Sequence, residues 1–289
     1  MIPPKTSVAI IIPSFNRPES LRRCLKALEL LEGGPYEIIV VDDGSQHPLS
    51  TICNEFGQQV QCIRQDNAGP AKARNTGAAA TTADFLAFTD DDCRPAPGWI
   101  RALLATQAGD ISVLVGGHVV NQLQDNVYAA TSQTLCDFLL DCQTKHDDTI
   151  PFFTSNNIGC ARKVYQELNG FDETFPKAAA EDRDFSLRWQ EKGGKLTYAP
   201  DASVEHAHNL SFWGFLRQHS NYGEGAHHLR KMLDKRRSKA IKFSGIQFYT
   251  RLLSFPWTGD RTMRVRQTLL ITISQIAMIN GYLKSLLAR

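Results

Sequence analysis

No two of the seven cysteines, at positions 24, 53, 62, 93, 136, 142 and 160, stand in a CxxC pair, and their number is odd. That argues against a zinc ribbon or a disulfide framework, and the thiols read as reduced, in a cytoplasmic protein. Net charge is only +2, too small an excess to imply nucleic acid as a partner. Long apolar runs are scarce. Between MIPPKTS and Pro13 there is only VAIII, too short for a leader or a membrane span. The marginal case is TLLITISQIAMINGYLKSLL (268–287), which is interrupted by Ser274, Gln275, Asn280 and Lys284 and reads as a packed or interfacial helix. Two glycine signatures for nucleotide phosphates are missing as well: GxGxxG after the first apolar run, where PSFNRP stands, and GxxxxGK[ST]. A bound diphosphate would need some other source of positive charge.

What is present is alternation. VAIII (8–12), EIIVV (37–41), QVQCIR (59–64) and DFLAFT (84–89) read as buried strands. Between them RPESLRRCLKAL (17–28) and GPAKARNTGAAA (69–80) read as helices, the first with Leu21, Leu25 and Leu28 on one face and Pro18 in its first turn. This pattern predicts an α/β fold with a mostly parallel sheet covered on both faces. Further on, 113–120 is strand-like, 125–142 helical, 153–173 a strand, turn and helix ending at Gly170, 180–194 a helix, 195–208 a strand and turn, and everything from 211 helical.

In such sheets ligands bind outside the carboxyl ends of the strands. PSFN (13–16), DDGS (42–45) and TDDD (89–92) each follow an apolar strand directly, so three polar clusters should meet on one sheet edge. Carboxylates suit hard cations, and a DxD spacing turns Asp90 and Asp92 the same way with Asp91 between them. The plainer alternative is a solvated turn or an N-cap for a helix starting near Pro97. DDGS can offer a carboxylate to a base edge or ribose hydroxyl, or form an ordinary Asx turn.

The ordered set VAIIIPSFNRPESLRRCLKAL, EIIVVDDGS, NAGPAKARNTGAAA, ADFLAFTDDDCRPAPGWI, SNNIGCARKVYQELNGFDE and AEDRDFSLRW resembles family 2 glycosyltransferases of the GT-A fold, over residues 7 to about 208. The resemblance implies roles at matching positions. Pro13, Phe15, Asn16 and Asp43 would line the nucleobase and ribose pocket, with Lys72 and Arg74 near the base and diphosphate. Asp90 and Asp92 would be the metal pair, Asp91 part of the donor site, and His206 the residue completing the metal shell, with His208 close by. Asn156, Asn157 and Gly159 would border the donor sugar and acceptor. Asp182 would be the general base, with Glu181 the competing carboxylate, although acidic residues in a helix's first turn also suit the dipole alone.

The implied chemistry is inverting transfer from a nucleoside-diphosphate sugar, UDP by default, using Mn²⁺ or Mg²⁺, to a glycan, polysaccharide-precursor or lipid-linked acceptor. Processive relatives carry QxxRW and membrane helices; here Phe185 holds the glutamine position before Arg188 and Trp189, which points to transfer of one sugar. A sugar-nucleotide nucleotidyltransferase is the alternative, though PSFNRPES makes a poor glycine-rich activation loop; a silent nucleotide-sugar-binding scaffold is another. The expected organisation is a catalytic domain at 1–210, with a nucleotide half at 7–120 and an acceptor half at 121–210, then a helical region at 211–289. Its basic run over 230–242 reads as a solvated face or, together with the C-terminal helix, as a peripheral contact with the inner face of a membrane, and a homo-oligomer is compatible with the sequence.

Overall fold

The computed structural model describes residues 6–145, 151–175, 179–236, 245–258 and 263–288. The chain runs β1 (Val8–Ser14), α1 (Pro18–Leu28), β2 (Glu37–Asp42), α2 (Ser50–Cys53), β3 (Val60–Arg64), α3 (Pro70–Ala79), β4 (Phe85–Thr89) and β5 (Cys93–Pro95). It continues with α4 (Trp99–Gln107), β6 (Val113–Asn121), α5 (Val127–Lys145), β7 (Asn157–Ala161), α6 (Arg162–Glu167), α7 (Glu181–Glu191) and β8 (Lys195–His206). Three long helices follow: α8 (Phe212–Arg236), α9 (Ile246–Ser254) and α10 (Arg264–Leu287). The chain forms two compact units, one holding the residues up to Val120 with Phe152–Thr174 and Asp182–His206, the other Asn121–Pro151, Phe175–Glu181 and the chain from Ala207. This differs from the expected split at 210, because α5 groups with the C-terminal helices.

In the first unit, among the described residues, eight strands form one sheet in the order β3-β2-β1-β4-β7-β6-β8-β5. The expected parallel arrangement holds across β3, β2, β1 and β4; β7 then pairs antiparallel with β4 and β6, and β5 antiparallel with β8, so the sheet is mixed. Every residue of β1 and of β4 is buried, as strands covered on both faces must be.

Side-chain alternation then assigns the two faces. Val8, Ile10, Ile12, Ile38 and Val40 join Leu21, Leu25, Trp99 and Leu103 of α1 and α4 in one core. Ile11 and Val41 face the other way, towards α3. A Cβ on Gly77 of that helix would lie 2.6 Å from Ile11 Cγ2 and 3.2 Å from Val41 Cγ2, so only glycine lets α3 sit this low on the sheet. The alanine-rich PAKARNTGAA sequence therefore serves close approach, and it brings the N-terminal turn of α3 to the carboxyl edge of β1 and β2.

Behind β4, Phe88, Tyr165 and Phe171 pack ring to ring, and Phe171 meets Phe185 at 4.7 Å between centroids. Phe185 is completely buried there, while Arg188 donates to the carbonyls of Leu168 (2.7 Å) and Gly170 (2.8 Å) and Trp189 Nε1 to the carbonyl of Ser112 (2.7 Å). The Phe-x-x-Arg-Trp run thus anchors α7 to its neighbours.

The second unit is helical among its described residues. α8 and α10 meet at glycines: a Cβ on Gly223 would fall 1.9 Å from the Met278 carbonyl oxygen, and one on Gly281 1.9 Å from that of Ser220. Phe138, Cys142, Leu252 and Ile271 form one apolar cluster, and Leu210, Phe215 and Leu270 another.

Candidate active site

Parallel pairing places the carboxyl ends of β1 and β2 side by side, with Ser14 opposite Asp42, while β4 aligns with β1. The three polar clusters do share an edge, and hydrogen bonds join them. Ser14 Oγ donates to Asp91 Oδ2 (2.7 Å), the Asp43 amide to the Ser14 carbonyl (2.9 Å), and the Asn16 amide to Ser45 Oγ (2.8 Å). Asn16 sits at φ 57°, a left-handed conformation that Asn tolerates, and its Oδ1 accepts from the Gln46 amide (2.7 Å). Pro13 is buried inside β1, whereas Phe15 is 44% exposed and presents an unshielded ring beside this edge.

The DDGS turn is closed on itself. Asp42, 1% exposed, accepts from the amides of Ser45 (2.9 Å) and Leu49 (3.1 Å) and from Arg64 Nη1 (2.7 Å). Burial works to raise the pKa of Asp42, but these hydrogen bonds, with Ser45 foremost, win and hold it below the ordinary carboxylate value. Asp43 accepts from Gln65 Nε2 (2.7 Å) and from the amides of Ala68 (2.9 Å) and Gly69 (2.8 Å), the turn that starts α3. Its oxygens thus already carry three hydrogen bonds that a ribose hydroxyl would have to join.

The TDDD turn is held differently. Asp91 is buried under the edge between Ser14 and Arg17 Nη1 (3.1 Å), and burial pushes its carboxyl up to about 7 against the pull of Arg17. Its carboxylate ties the turn to Ser14 of β1 and to Arg17. Asp90 faces outward and meets Arg74 Nη2 at 2.6 Å. Asp92 meets Arg17 Nη1 (3.0 Å) and His206 Nε2 (3.2 Å). The second contact follows from topology: β5 opens at Cys93, and its antiparallel register with β8 pairs Cys93 with His206. Burial disfavours charge on His206, yet the Asp92 carboxylate overrides it and raises the pKa.

Ligand atoms of Asp92, Cys93 and His206 lie within 4.8 Å of one another. Burial, then Asp90 and Asp92, push the Cys93 thiol far up, which favours its protonated form. The remaining donors, a carboxylate and an imidazole with Asp90 nearby, suit Mn²⁺, while Mg²⁺ prefers oxygen throughout. His208 is outside this group.

Arg74 links this turn to α7. It is buried on α3, its guanidinium lies 5.7 Å from the Phe171 ring centroid, and its charge acts on both Asp90 and Asp182. Asp182 is half-buried; desolvation raises its pKa, opposed by Arg183 and Arg74. Glu181 before it is buried. Lys72 meets Glu173 at 3.2 Å.

Asn156 and Asn157 reach the same edge because β7 starts opposite Thr89. Their roles separate. Asn156 accepts from Thr154 Oγ1 (2.7 Å). Asn157 is 1% exposed and bonds Trp99 Nε1 (2.8 Å) and the carbonyls of His118 and Ala202 (2.9 Å each), so its amide is committed to the core. Gly159 leaves room for Phe85, whose ring would lie 2.4 Å from a Cβ there, and so has a packing role too.

Two residues had no signal of their own in the sequence. Arg17 bridges Asp91 and Asp92. Asn75 ties α3 to the loop after α6: its Oδ1 accepts from Tyr165 Oη (2.6 Å) and the Phe171 amide (2.9 Å), and its Nδ2 donates to the Phe171 carbonyl and Glu173 (2.8 Å each).

Known proteins resemble this chain. The pattern described as Glycosyl transferase family 2 matches residues 9–169. The Pre-mycofactocin glycosyltransferase of Mycobacterium tuberculosis (strain CDC 1551 / Oshkosh) is 31% identical over 232 residues, which cover 78% of this chain and 47% of that protein. The chain thus spans about half the length of that relative. The hyaluronan synthase of Pasteurella multocida is 26% identical over 217 residues, 63% of this chain and 22% of its own length. Among solved structures, a mannosyltransferase from Pyrobaculum calidifontis in complex with GDP-Man and Mn²⁺ aligns with a TM-score of 0.67 at 14% identity, over 99% of this chain and 88% of its own; that likeness concerns the fold.

Proposed function

The chain belongs to glycosyl transferase family 2, and on that premise we propose that it moves a single sugar from a nucleoside-diphosphate sugar to a glycan, polysaccharide-precursor or lipid-linked acceptor, with inversion at the anomeric carbon. The observation that carries this reading is the meeting of Asp92 with His206 beside the Arg74–Asp90 pair on one sheet edge. That combination offers a cation site and a fixed positive charge together, as a departing diphosphate requires.

Phe15 would stack on the base, with the DDGS turn beneath it. Asp92 and His206 would hold Mn²⁺ or Mg²⁺, Asp90 being the further carboxylate at hand; the ion, when bound, supplies positive charge against the phosphate oxygens. Arg74 and Lys72 would add theirs, Lys72 exchanging Glu173 for phosphate. Asp182 would take the proton from the attacking hydroxyl. Its raised pKa makes it a stronger base than an ordinary aspartate. Attack from the face opposite the leaving group inverts the carbon in one step, and no second nucleophilic carboxylate is needed.

The test is calorimetric binding of UDP, GDP and dTDP, each with Mn²⁺ and with EDTA, to the wild type and to Asp92→Asn. One nucleotide should bind with Mn²⁺, UDP being the leading candidate, and Asp92→Asn should weaken that binding by at least about tenfold. Binding that ignores both EDTA and the substitution would overturn the metal site. No nucleotide binding at all would overturn the reading.

A further inference from the structure

Of the sixteen large hydrophobic side chains exposed among the described residues, eleven lie in α9, α10 and the turn that ends α9. Their placement is regular. Val265, Leu269, Ile276, Ile279, Leu283 and Leu286 recur at helical spacing along one side of α10 and are 48–70% exposed. The opposite side, with Leu270, Ile271, Ser274 and Gly281, is buried. The charge on these segments has one sign: residues 245–258 and 263–288 contain Arg251, Arg264, Arg266 and Lys284 and no Asp or Glu. At the junction Trp257 is 51% exposed; its Nε1 donates to Thr268 Oγ1 (3.2 Å), and Arg264 lies 5.8 Å from its ring centroid.

We propose that this face of α9 and α10 docks on a lipid bilayer carrying anionic headgroups, with α10 lying in the interfacial plane. An apolar stripe edged by tryptophan and arginine is what that boundary selects, the rings and aliphatic carbons entering the acyl region and the cations meeting headgroups. Charge argues against a second copy as occupant, because among the described residues of α9 and α10 two such faces would oppose cations to cations with no carboxylate of these segments between them. Packing decides against a span, although α10 is long and apolar enough by composition. Its buried side is fastened to α8, where Lys284 lies 3.9 Å from Glu224, so crossing would carry the charges of α8 into hydrocarbon. A membrane contact was expected from the basic run over 230–242 and the C-terminal helix; residues 237–244 lie outside the described residues, and the docking face on α9 and α10 does not depend on them. Nor does it depend on glycosyl transfer.

Flotation of the full chain with vesicles of phosphatidylcholine, alone or mixed with phosphatidylglycerol, tests it, alongside light scattering on a size-exclusion column. The mixed vesicles should bind the chain more tightly and lose it as salt rises. The double variant Arg264→Glu/Arg266→Glu should weaken binding at least about tenfold. Ile276→Glu should abolish binding while the thermal unfolding temperature stays that of the wild type; Ile276→Gln repeats the test if the acidic variant fails to fold. No preference for anionic vesicles, or variants that bind as the wild type does, would overturn the proposal. So would a concentration-dependent dimer that Ile276→Glu dissociates.

Discussion

The chain has two acidic turns, after β2 and β4 on either side of β1, and they are held by different kinds of partner. The Asp42–Asp43 turn is bonded mainly to backbone: amides of Ser45, Leu49, Ala68 and Gly69 point at its carboxylates, with Arg64 and Gln65 in support. The outward carboxylates of the Asp90–Asp92 turn are held by the side chains Arg74, Arg17 and His206. Backbone amides cannot leave without unfolding the turn, whereas a side-chain cation can be exchanged for another cation. Under the proposed function the first turn is scaffold and the second is site, although both read as acidic clusters after a strand.

The sharpest way to break this comparison uses a carboxylate in neither turn. Asp182→Asn should bind nucleotide with Mn²⁺ as the wild type does and lose transfer by about 10²- to 10⁴-fold. Wild-type turnover in that variant would leave the chemistry to the second turn alone. Because burial raises the Asp182 pKa, the protonated form persists to higher pH than in a free aspartate, so the acid limb of the rate profile should lie above the ordinary carboxylate range of about 4.

Next in size is the scaffold turn. Asp42→Asn keeps the shape but replaces an anion facing two amides and Arg64 by a neutral amide. A loss of about 2 kcal/mol is expected, roughly thirtyfold in the folding equilibrium, in urea unfolding of the whole chain. The sign with pH follows from the depressed pKa of Asp42. Its contribution is present above the unfolded value near 3.8 and is lost as pH falls through the lower folded value, so the variant's advantageless stability curve should be flatter at the acid end. A variant as stable as the wild type, but unable to bind nucleotide, would reverse the roles assigned to the two turns.

This contrast marks the limit of what the residues could tell by themselves. Strand and helix periodicity located β1 to β4 with α1 and α3, and their alternation was enough to bring PSFN, DDGS and TDDD to one edge. Partners from distant sequence were less legible. β5 has three residues, too few for a period, yet its pairing with β8 is what delivers His206 to Asp92. β7 begins only at Asn157, which turns inward to Trp99, while Asn156 lies in the turn before it and accepts from Thr154. For α5, helical sequence does not say which neighbour the helix packs against, and the helix groups with the C-terminal residues.

Arg17 offers the smallest and most discriminating test. Its single Nη1 donates to both Asp91 and Asp92, and its side chain is 51% exposed, so water screens the pairing and its strength is that of a surface bridge. It occupies the charge position that a divalent cation would take at Asp92. Removing it should therefore have opposite effects on two measurements: Arg17→Ala should bind Mn²⁺ alone more tightly, by about fivefold at most, and should unfold slightly earlier without metal. The Mn²⁺ affinity is read by electron paramagnetic resonance of the free ion and needs no turnover. Arg64 provides the contrast, since its partner Asp42 is fastened by backbone amides, and Arg64→Ala should lower stability with no change in Mn²⁺ affinity. If Arg17→Ala instead weakened Mn²⁺ binding, the arginine would be holding Asp92 in place as Arg64 holds Asp42, and the two turns would be scaffold alike.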